Sequence, residues 1–204
     1  MDRELVRDAA RLGAATLHEA SCQRGALPSA IKPISATMRV AGPAFTVATP
    51  PGNNLWIHRA LAASAPGDVL VVVTSEHYEA GYWGDIMTVA ALERGIAGLV
   101  IDGGVRDSEA IARLEFPVFA RGLSIRGTGK DPTAGGSLQQ SITLGDVTVN
   151  PGDLVVGDAD GVVVIPRGNV TEVLEKARER EKREVEVVER LRRGETTLEI
   201  YRLE

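Results

Sequence analysis

Apolar residues in the first two-thirds of the chain follow two spacings, which predict alternating helices and strands. Residues 3–20 place apolar side chains at helical intervals. Residues 69–74 and 97–102 are apolar on both faces, which is typical of central strands covered on two sides. Helical patterns lie between these runs, and one of them ends at Gly95, a residue suited to a left-handed helix end. The alternation over residues 55–121 therefore predicts parallel β-α-β units and an α/β fold.

The pattern changes after residue 121. Residues 122–138 are rich in glycine and predict a loop, and residues 141–165 predict short strands joined by hairpin turns. Asp158 and Asp160 in this region resemble a fragment of a metal-binding loop, but two acidic residues beside a glycine between strands fit a β-turn better.

A C-terminal helix is predicted over residues 168–193. It begins with one apolar face and then becomes charged on every side. Such a helix either projects into solvent or contacts a neighbouring subunit. No internal repeat or linker divides the chain, so we expect one domain over residues 1–204, with residues 168–204 as a helical extension.

Composition and charge exclude several classes of protein. The net charge is -5, whereas nucleic-acid-binding domains are usually basic, so no nucleic-acid partner is expected. Cys22 is the single cysteine, which rules out an internal disulfide and a cysteine-based zinc site. No apolar run approaches the length of a membrane span, and the charged N-terminus does not resemble a signal peptide. We therefore expect a cytoplasmic protein without a membrane partner.

Two polar segments follow the predicted central strands: GYWGD at 81–85 and DGGVRD at 102–107. In open α/β sheets, ligands bind where parallel strands end, so we expect these segments to face one another. Arg106 can bind a carboxylate through two parallel hydrogen bonds. Asp107 offers the hard oxygen ligand that Mg²⁺ prefers, and Asp85 would hold a water from the facing segment.

The same residues also have a purely structural interpretation. Asp85 and Asp107 each precede a predicted helix and could accept hydrogen bonds from its first amides. Gly103 and Gly104 are expected to form a tight turn. On residue chemistry alone, helix caps and an active site are equally well supported.

The spacing of these residues resembles that of a known family. Asp85, twenty intervening residues and then Arg106–Asp107 form a D-x20-R-D pattern similar to the signature of the RraA-like proteins. Further blocks resemble that family in the same order along nearly the whole chain: AGPAFTVATPPGNN, IHRALAASAPGDVLVVV, GLVIDGGVRD, PVFARG and VTVNPGDLVVGDADGVVVIP. The branch that the chain resembles contains the 4-hydroxy-4-methyl-2-oxoglutarate / 4-carboxy-4-hydroxy-2-oxoadipate aldolases, which are class II pyruvate aldolases.

This resemblance implies a fold, an assembly and a substrate site. The implied fold is a swivelling β/β/α three-layer domain with a C-terminal helix, and members form homotrimers or homohexamers with sites between subunits. Pyruvate, or the pyruvyl end of a longer 2-keto acid, would bind to Arg106 and to the backbone amides of Gly81, Tyr82, Trp83 and Gly84.

The resemblance also implies a divalent metal, Mg²⁺ or Mn²⁺. Asp107 would ligate this metal, and Asp85 would act through a metal-bound water. A glutamate from the C-terminal helix of a neighbouring subunit is expected near the metal waters, and Glu184 is the residue that we choose. Tyr82 and Trp83 stand where the family often has smaller aliphatic residues, so we expect them to narrow or reshape the distal substrate pocket.

The implied reaction is retro-aldol cleavage of a 4-hydroxy-2-keto acid, which releases pyruvate through a metal-stabilised enolate, with oxaloacetate decarboxylation as a second activity. An imine mechanism would need a desolvated lysine. None of the four lysines lies in a segment predicted to be buried: Lys32, Lys130, Lys176 and Lys182. The alternative is a non-catalytic role, since the family also contains the regulator of ribonuclease activity. Residues 122–131 resemble the aldolase branch instead, and the C-terminal helix extends beyond the shorter regulators.

Overall fold

The computed structural model describes residues 1–203 as seven helices and ten strands. The helices are α1 (Arg3–Leu12), α2 (Ala14–Ala20), α3 (Leu55–Ala63), α4 (Asp85–Glu93), α5 (Ser108–Arg113), α6 (Val170–Arg192) and α7 (Thr197–Tyr201), with a 3₁₀ turn at Arg167–Asn169 before α6. The strands are β1 (Lys32–Pro33), β2 (Val40–Ala48), β3 (Val69–Val73), β4 (Gly98–Val105), β5 (Val118–Leu123), β6 (Ser137–Leu138), β7 (Ile142–Leu144), β8 (Val147–Val149), β9 (Leu154–Asp158) and β10 (Gly161–Ile165).

Four parallel strands lie at the centre of the main sheet, in the order β2-β3-β4-β5. Helix α3 connects β2 to β3, α4 connects β3 to β4, and α5 connects β4 to β5. Every residue of β4 is buried, and β3 is buried except at its last residue. The parallel pairing and the connecting helices confirm the predicted β-α-β units. The burial of β3 and β4 shows that these two strands are covered on both faces.

Antiparallel strands extend this sheet on both sides. β1 pairs with β5, while β9 pairs with β10 and with the first half of β2. β2 thus changes partner along its length, with Val40–Pro43 against β9 and Ala44–Ala48 against β3. The hairpin of β7 and β8 forms a separate two-stranded sheet that contacts β2 and β3. The larger of two hydrophobic clusters lies among the parallel strands, their helices and this hairpin.

Helices α1, α2 and α6 pack together over β9, β10 and the start of β2, where they enclose the second hydrophobic cluster. The first half of α6 contributes four buried residues: Val170, Val173, Leu174 and Ala177. The segment predicted as an extension from residue 168 thus begins as part of the core, and only the charged second half of α6 is largely exposed. Within residues 1–203, the structure contains no helix both long and apolar enough to span a membrane.

The single helix predicted over residues 3–20 is wrong, because two helices meet at Gly13. Gly13 has a φ of 80°, a conformation that glycine adopts without a steric penalty. The carboxylate of Asp158 accepts a hydrogen bond from the Ala14 N–H at 2.8 Å and so caps α2 from the β9–β10 turn. It also accepts one from the Asp160 N–H at 3.0 Å, which confirms the β-turn interpretation of this segment.

The tight turn expected at Gly103 and Gly104 is also wrong, because β4 continues through both residues to Val105. These positions require glycine because the segment that follows β3 lies very close to the backbone of β4. A Cβ on Gly103 would lie 2.7 Å from Cγ2 of Thr74, and a Cβ on Gly104 would lie 2.7 Å from the carbonyl oxygen of Ala80. The bare backbone therefore lets the segment after β3 run directly alongside the end of β4.

Candidate active site

The candidate site lies where residues 81–85 run beside the end of β4. The Tyr82 N–H donates to the Gly104 carbonyl at 3.0 Å. One step further, the Arg106 N–H donates to the Trp83 carbonyl at 2.9 Å. This backbone pairing brings the first turn of α4 next to the residues that follow β4, as expected from the strand ends.

Asp107 has an unusual backbone conformation. Its φ of 58° and ψ of 35° lie in the left-handed region, which costs a non-glycine residue about 1–3 kcal/mol. Asp107 occupies the N-cap position of α5, yet its side chain makes no capping hydrogen bond there. Its Oδ2 instead accepts a hydrogen bond from the Asp85 N–H at 3.3 Å, at the start of α4. The interpretation of Asp107 as the side-chain cap of its own helix is therefore wrong.

Gly84 makes this approach of Asp107 possible. A Cβ added to Gly84 would overlap with Oδ2 of Asp107 and would lie 3.4 Å from Nε of Arg106. Gly84 itself has an extended φ of -153°, so the requirement for glycine is one of space. Any larger residue would push the Asp107 carboxylate away from α4.

Asp85 is the first residue of α4, and its side chain is exposed. Its Oδ1 accepts a hydrogen bond from the Ile86 N–H at 2.7 Å. No donor for its Oδ2 is found within residues 1–203. Asp85 therefore keeps one carboxylate oxygen for a ligand, at a helix end where the backbone dipole favours negative charge.

Arg106 lies beside Asp107 at a surface cavity of about 380 Å³. Its Nε is 3.6 Å from Oδ2 of Asp107, and 47% of its side chain is exposed. The guanidinium is thus oriented by one carboxylate while its outer edge stays open to an anion in the cavity. The cavity is lined by Val105, Arg106, Asp107, Ser108, Leu123, Ser124 and Ile125.

The backbone amides implicated in substrate binding are only partly available. The Gly81 N–H donates to the Arg126 carbonyl at 2.7 Å, and the Tyr82 N–H is used by β4. Among the residues that the structure describes, no acceptor faces the N–H of Trp83 or that of Gly84. Two adjacent amides just before α4 are therefore without an acceptor, and both belong to buried residues.

Tyr82 and Trp83 do not narrow a distal pocket, contrary to the expectation from the sequence, because both side chains are completely buried. The ring of Trp83 stacks on Phe116 with the ring centroids 5.8 Å apart, and its Nε1–H donates to Oγ1 of Thr88 at 2.7 Å. Large aromatic side chains gain more from burial in the core than from lining an open cavity. The two side chains therefore do not contact a ligand in the cavity, and they affect the site by anchoring the backbone of residues 81–85 in the core.

A largely buried ion pair links β4 and β5. Asp102 is 7% exposed and accepts a hydrogen bond from Nε of Arg121. The guanidinium of Arg121 in turn lies 4.0 Å from the ring centroid of Tyr78. This pair was not predicted, although a lone carboxylate in the apolar run at 97–102 signals a buried partner, since an unpaired charge is costly inside a protein.

The donor set of the site fits a hard divalent cation. Asp107 and Asp85 offer carboxylate oxygens, and Mg²⁺ typically takes one or two protein carboxylates together with water and substrate oxygens. Within residues 1–203, no group of three or more His, Cys, Asp or Glu side chains is placed to hold a metal. A fully enclosed site of the structural zinc type therefore does not fit. All four lysines are exposed, so none has the desolvated setting that an imine mechanism needs.

Glu184 lies on the exposed half of α6. Its Oε1 is 2.8 Å from Nε of Arg180 in the same helix. It also borders a surface cavity with Val185 and Val188. The contribution of Glu184 to the site of a neighbouring subunit stays a prediction.

An arginine and two carboxylates meeting beside a helix start, at the ends of parallel strands, define a class of α/β protein that can bind carboxylate ligands. Comparison with known proteins identifies the family. A family model for RraA-like proteins, described as Aldolase/RraA, matches residues 6–164. The chain belongs to the RraA-like family.

Individual relatives agree with this assignment. A protein from Halalkalibacterium halodurans that bears the provisional name 4-hydroxy-4-methyl-2-oxoglutarate aldolase is 42% identical over 155 residues, covering 76% of this chain and 73% of its own. The crystal structure of an uncharacterized protein from Pseudomonas syringae pv. tomato has a TM-score of 0.86 and 30% identity, covering 100% of this chain and 94% of that one. Streptomyces coelicolor RraAS2, described as an unusual member of the RNase ES inhibitor RraA protein family, has a TM-score of 0.78 and 30% identity, covering 90% and 95%.

These similarities confirm the resemblance that the sequence suggested, including its similarity to the aldolase branch. The match in structure over the whole chain also confirms the swivelling β/β/α class with its C-terminal helix.

Proposed function

We propose that the protein catalyses divalent-metal-dependent retro-aldol cleavage of a 4-hydroxy-2-keto acid, of the 4-hydroxy-4-methyl-2-oxoglutarate type, and releases pyruvate. The main support is the convergence of Arg106, Asp107 and Asp85 at the start of α4, where the Asp107 carboxylate crosses to the Asp85 N–H at 3.3 Å. This arrangement makes no helix cap for α5 and requires a left-handed aspartate. Strain of this kind is concentrated at functional sites.

Arg106 binds the carboxylate of the keto acid in this proposal. The guanidinium has an exposed outer edge, and its planar fork matches a carboxylate in two parallel hydrogen bonds. The N–H of Gly84, which has no acceptor within residues 1–203 and lies against Arg106, is proposed to bind the same anionic end of the substrate. Arg106 also stabilises the negative charge that develops on the enolate, an effect that is large in a fixed and partly desolvated site.

Asp107, with Asp85 nearby, would hold Mg²⁺ or Mn²⁺. When bound, such an ion supplies a Lewis acid for the 2-keto oxygen and carboxylate. Asp107 is held in place for this task by the Asp85 N–H and by Arg106. Its left-handed backbone directs the carboxylate toward α4.

Asp85 acts as the general base in this proposal. Through a water held at its free Oδ2, the carboxylate takes the proton of the C4 hydroxyl as the bond between C3 and C4 breaks. The bonding electrons pass to the pyruvate enolate, and the same proton returns to C3 to give pyruvate. Loss of carbon dioxide from oxaloacetate leaves the same enolate, so we expect oxaloacetate decarboxylase activity at this site.

We also propose that the protein acts as a homotrimer or homohexamer, with each site completed by a neighbouring subunit. Apolar side chains are exposed next to the site: Ile86 is 79% exposed, Leu123 63% and Ile125 94%. Such side chains beside a polar site are typical of a protein–protein contact. Glu184 is the residue proposed to reach the site from the neighbour.

A coupled assay with lactate dehydrogenase tests the reaction. Pyruvate release from a panel of 4-hydroxy-2-keto acids, and from oxaloacetate, is measured with EDTA, with Mg²⁺ and with Mn²⁺. We expect EDTA to abolish activity and either metal to restore it. Arg106→Lys should lower kcat/KM by about 10²–10³-fold, whereas Arg113→Lys, on the exposed face of α5, should leave it unchanged. Activity that resists EDTA, or survives in Arg106→Ala, would contradict the mechanism.

Ribonuclease inhibition is the second candidate, favoured by the similarity to Streptomyces coelicolor RraAS2. An inhibitor would act through its surface and would not need the carboxylates of the site. The protein and its Asp107→Asn variant are added to an RNase ES cleavage assay. Equal inhibition by both, together with no pyruvate release from any substrate of the panel, would favour the inhibitor role.

A further inference from the structure

Tyr82 is hydrogen-bonded through three separate groups, although its side chain is completely buried. Its N–H donates to the Gly104 carbonyl at 3.0 Å. Its carbonyl accepts a hydrogen bond from Nδ2 of Asn54 at 3.0 Å. Its hydroxyl accepts one from the Gly52 N–H at 2.8 Å and lies 2.9 Å from Nδ1 of His77. Tyr82 therefore joins the turn of the candidate site to β4, to the loop before α3 and to the loop after β3.

The hydroxyl of Tyr82 uses its hydrogen-bonding capacity on both sides. The Gly52 N–H donates to the hydroxyl oxygen, and the hydroxyl shares a second hydrogen bond with Nδ1 of His77, in which the tautomer of the imidazole decides the donor. Burial raises the pKa of Tyr82 above its ordinary value of 10.0, and the hydrogen bond from the Gly52 N–H offsets part of this shift. The group therefore stays protonated at neutral pH and keeps its donor. A buried hydroxyl satisfied on both sides fixes the position of the ring that carries it.

Tyr82 directly precedes the residues of the candidate site in the sequence. The next two residues carry the amides that have no acceptor, and Asp85 comes directly after them. Their backbone is also held at three other points: the Arg106 N–H donates to the Trp83 carbonyl, the N–H and Oγ1 of Thr88 donate to the Gly84 carbonyl, and the Asp85 N–H donates to the Asp107 carboxylate. A small rotation of the segment would move the Asp85 carboxylate relative to Arg106, and positioning errors near 1 Å are costly in catalysis.

We infer that Tyr82 is a positioning residue whose buried hydroxyl, held by the Gly52 N–H and His77, fixes the amides and the Asp85 carboxylate against Arg106. This inference rests on the proposed function for its catalytic part. It assigns the aromatic side chain a task that a smaller aliphatic residue at this position would not perform. The phenolic oxygen acts entirely through the backbone and does not touch the substrate.

Tyr82→Phe tests the role, because it removes the oxygen and keeps the ring. We expect kcat to fall by about 10–100-fold, as for the loss of buried hydrogen bonds, while KM changes little. Hydrogen exchange measured by mass spectrometry should be faster in peptides that cover residues 81–86 and unchanged in β3 and β4. Tyr78→Phe is the matched control, since it removes a nearby hydroxyl for which residues 1–203 supply no hydrogen bond; its kcat and exchange should match the wild type.

His77→Ala provides a second variant in case Tyr82→Phe does not fold, because His77 is only half-buried. It should produce a smaller change in the same direction. Wild-type kcat in both variants, or faster exchange throughout the protein, would overturn the positioning role. If the wild type cleaves no substrate of the panel, the proposed function fails, and binding of oxalate with Mn²⁺ by calorimetry replaces kcat. Weaker oxalate binding in Tyr82→Phe then supports the role, and unchanged binding overturns it.

Discussion

Single residues of this protein show how burial and backbone conformation decide what a polar group can do. His58 lies in the first turns of α3, and its Nε2 is buried without a hydrogen-bond partner among residues 1–203. Burial lowers the pKa of His58 below its ordinary value of 6.5, and the nearby positive charge of Lys130 lowers it further. The folded protein therefore holds this imidazole neutral at neutral pH.

This shift in the pKa of His58 predicts acid sensitivity. Because the folded pKa lies below the unfolded one, the unfolded chain takes up the proton first as the pH falls. The contribution of neutral His58 to stability is present above about pH 6.5 and is lost as the pH falls through the unfolded pKa toward the folded one. We expect His58→Gln to lose less stability than the wild type between about pH 7.5 and pH 5, measured as the midpoint of urea unfolding.

Lys130→Gln is the control for the electrostatic part of this shift. Removing the ammonium should raise the folded pKa of His58 toward 6.5 and give a loss of stability between those of the wild type and His58→Gln. Identical pH profiles for the wild type and His58→Gln would show that this histidine does not carry the effect.

At the scale of elements, the start of α4 and the end of β4 depend on glycines that permit close approach. Gly84→Ala should force the Asp107 carboxylate away from α4, since a Cβ would overlap with its Oδ2. We expect Mn²⁺ affinity and kcat/KM to fall by about 10–100-fold, as for lost support of a metal ligand. Calorimetry with Mn²⁺ and the pyruvate assay measure the two effects.

Gly122→Ala provides the comparison for this substitution. Gly122 lies in β5 beside the end of β4, and a Cβ there would have no atom within 4 Å. It should keep both wild-type values. A Gly84→Ala variant that behaves like Gly122→Ala would show that the Asp107 carboxylate does not need its place beside α4.

The elements also show how far the sequence could predict this structure. The parallel strands and their helices were predictable because apolar runs on both faces mark covered strands. The break at Gly13 was not, since the cap that stabilises it comes from Asp158, far away in the chain. The extended glycines of β4 were mistaken for a turn, because sequence alone does not reveal which backbone approaches them.

The candidate site was predictable to a similar extent. The D-x20-R-D spacing found Asp85, Arg106 and Asp107, and the structure brings all three together. It could not show the left-handed backbone of Asp107 or the burial of Tyr82, because both depend on contacts between distant segments. The ion pair of Asp102 and Arg121 likewise could not be predicted, because it depends on the pairing of β4 with β5.

For the whole molecule, the exposed apolar side chains beside the site predict self-association. Ile86 is 79% exposed on α4, and a charge there should prevent a contact that buries it. We expect Ile86→Asp to shift the protein from the proposed trimer or hexamer to monomers, measured by size-exclusion chromatography with light scattering. Ile86→Leu should keep the assembly. An unchanged mass for Ile86→Asp would place the subunit contact on another surface.

The burial of Trp83 also has an optical consequence. The chain contains two tryptophans, and their surroundings differ. Trp56 is half-buried, with the guanidinium of Arg59 4.4 Å from its ring centroid, whereas Trp83 is stacked on Phe116 in the core. Because the Trp83 carbonyl accepts the Arg106 N–H, we expect a ligand in the site to change the surroundings of this tryptophan. Occupancy of the site should therefore alter the intrinsic emission of the protein, which needs no label.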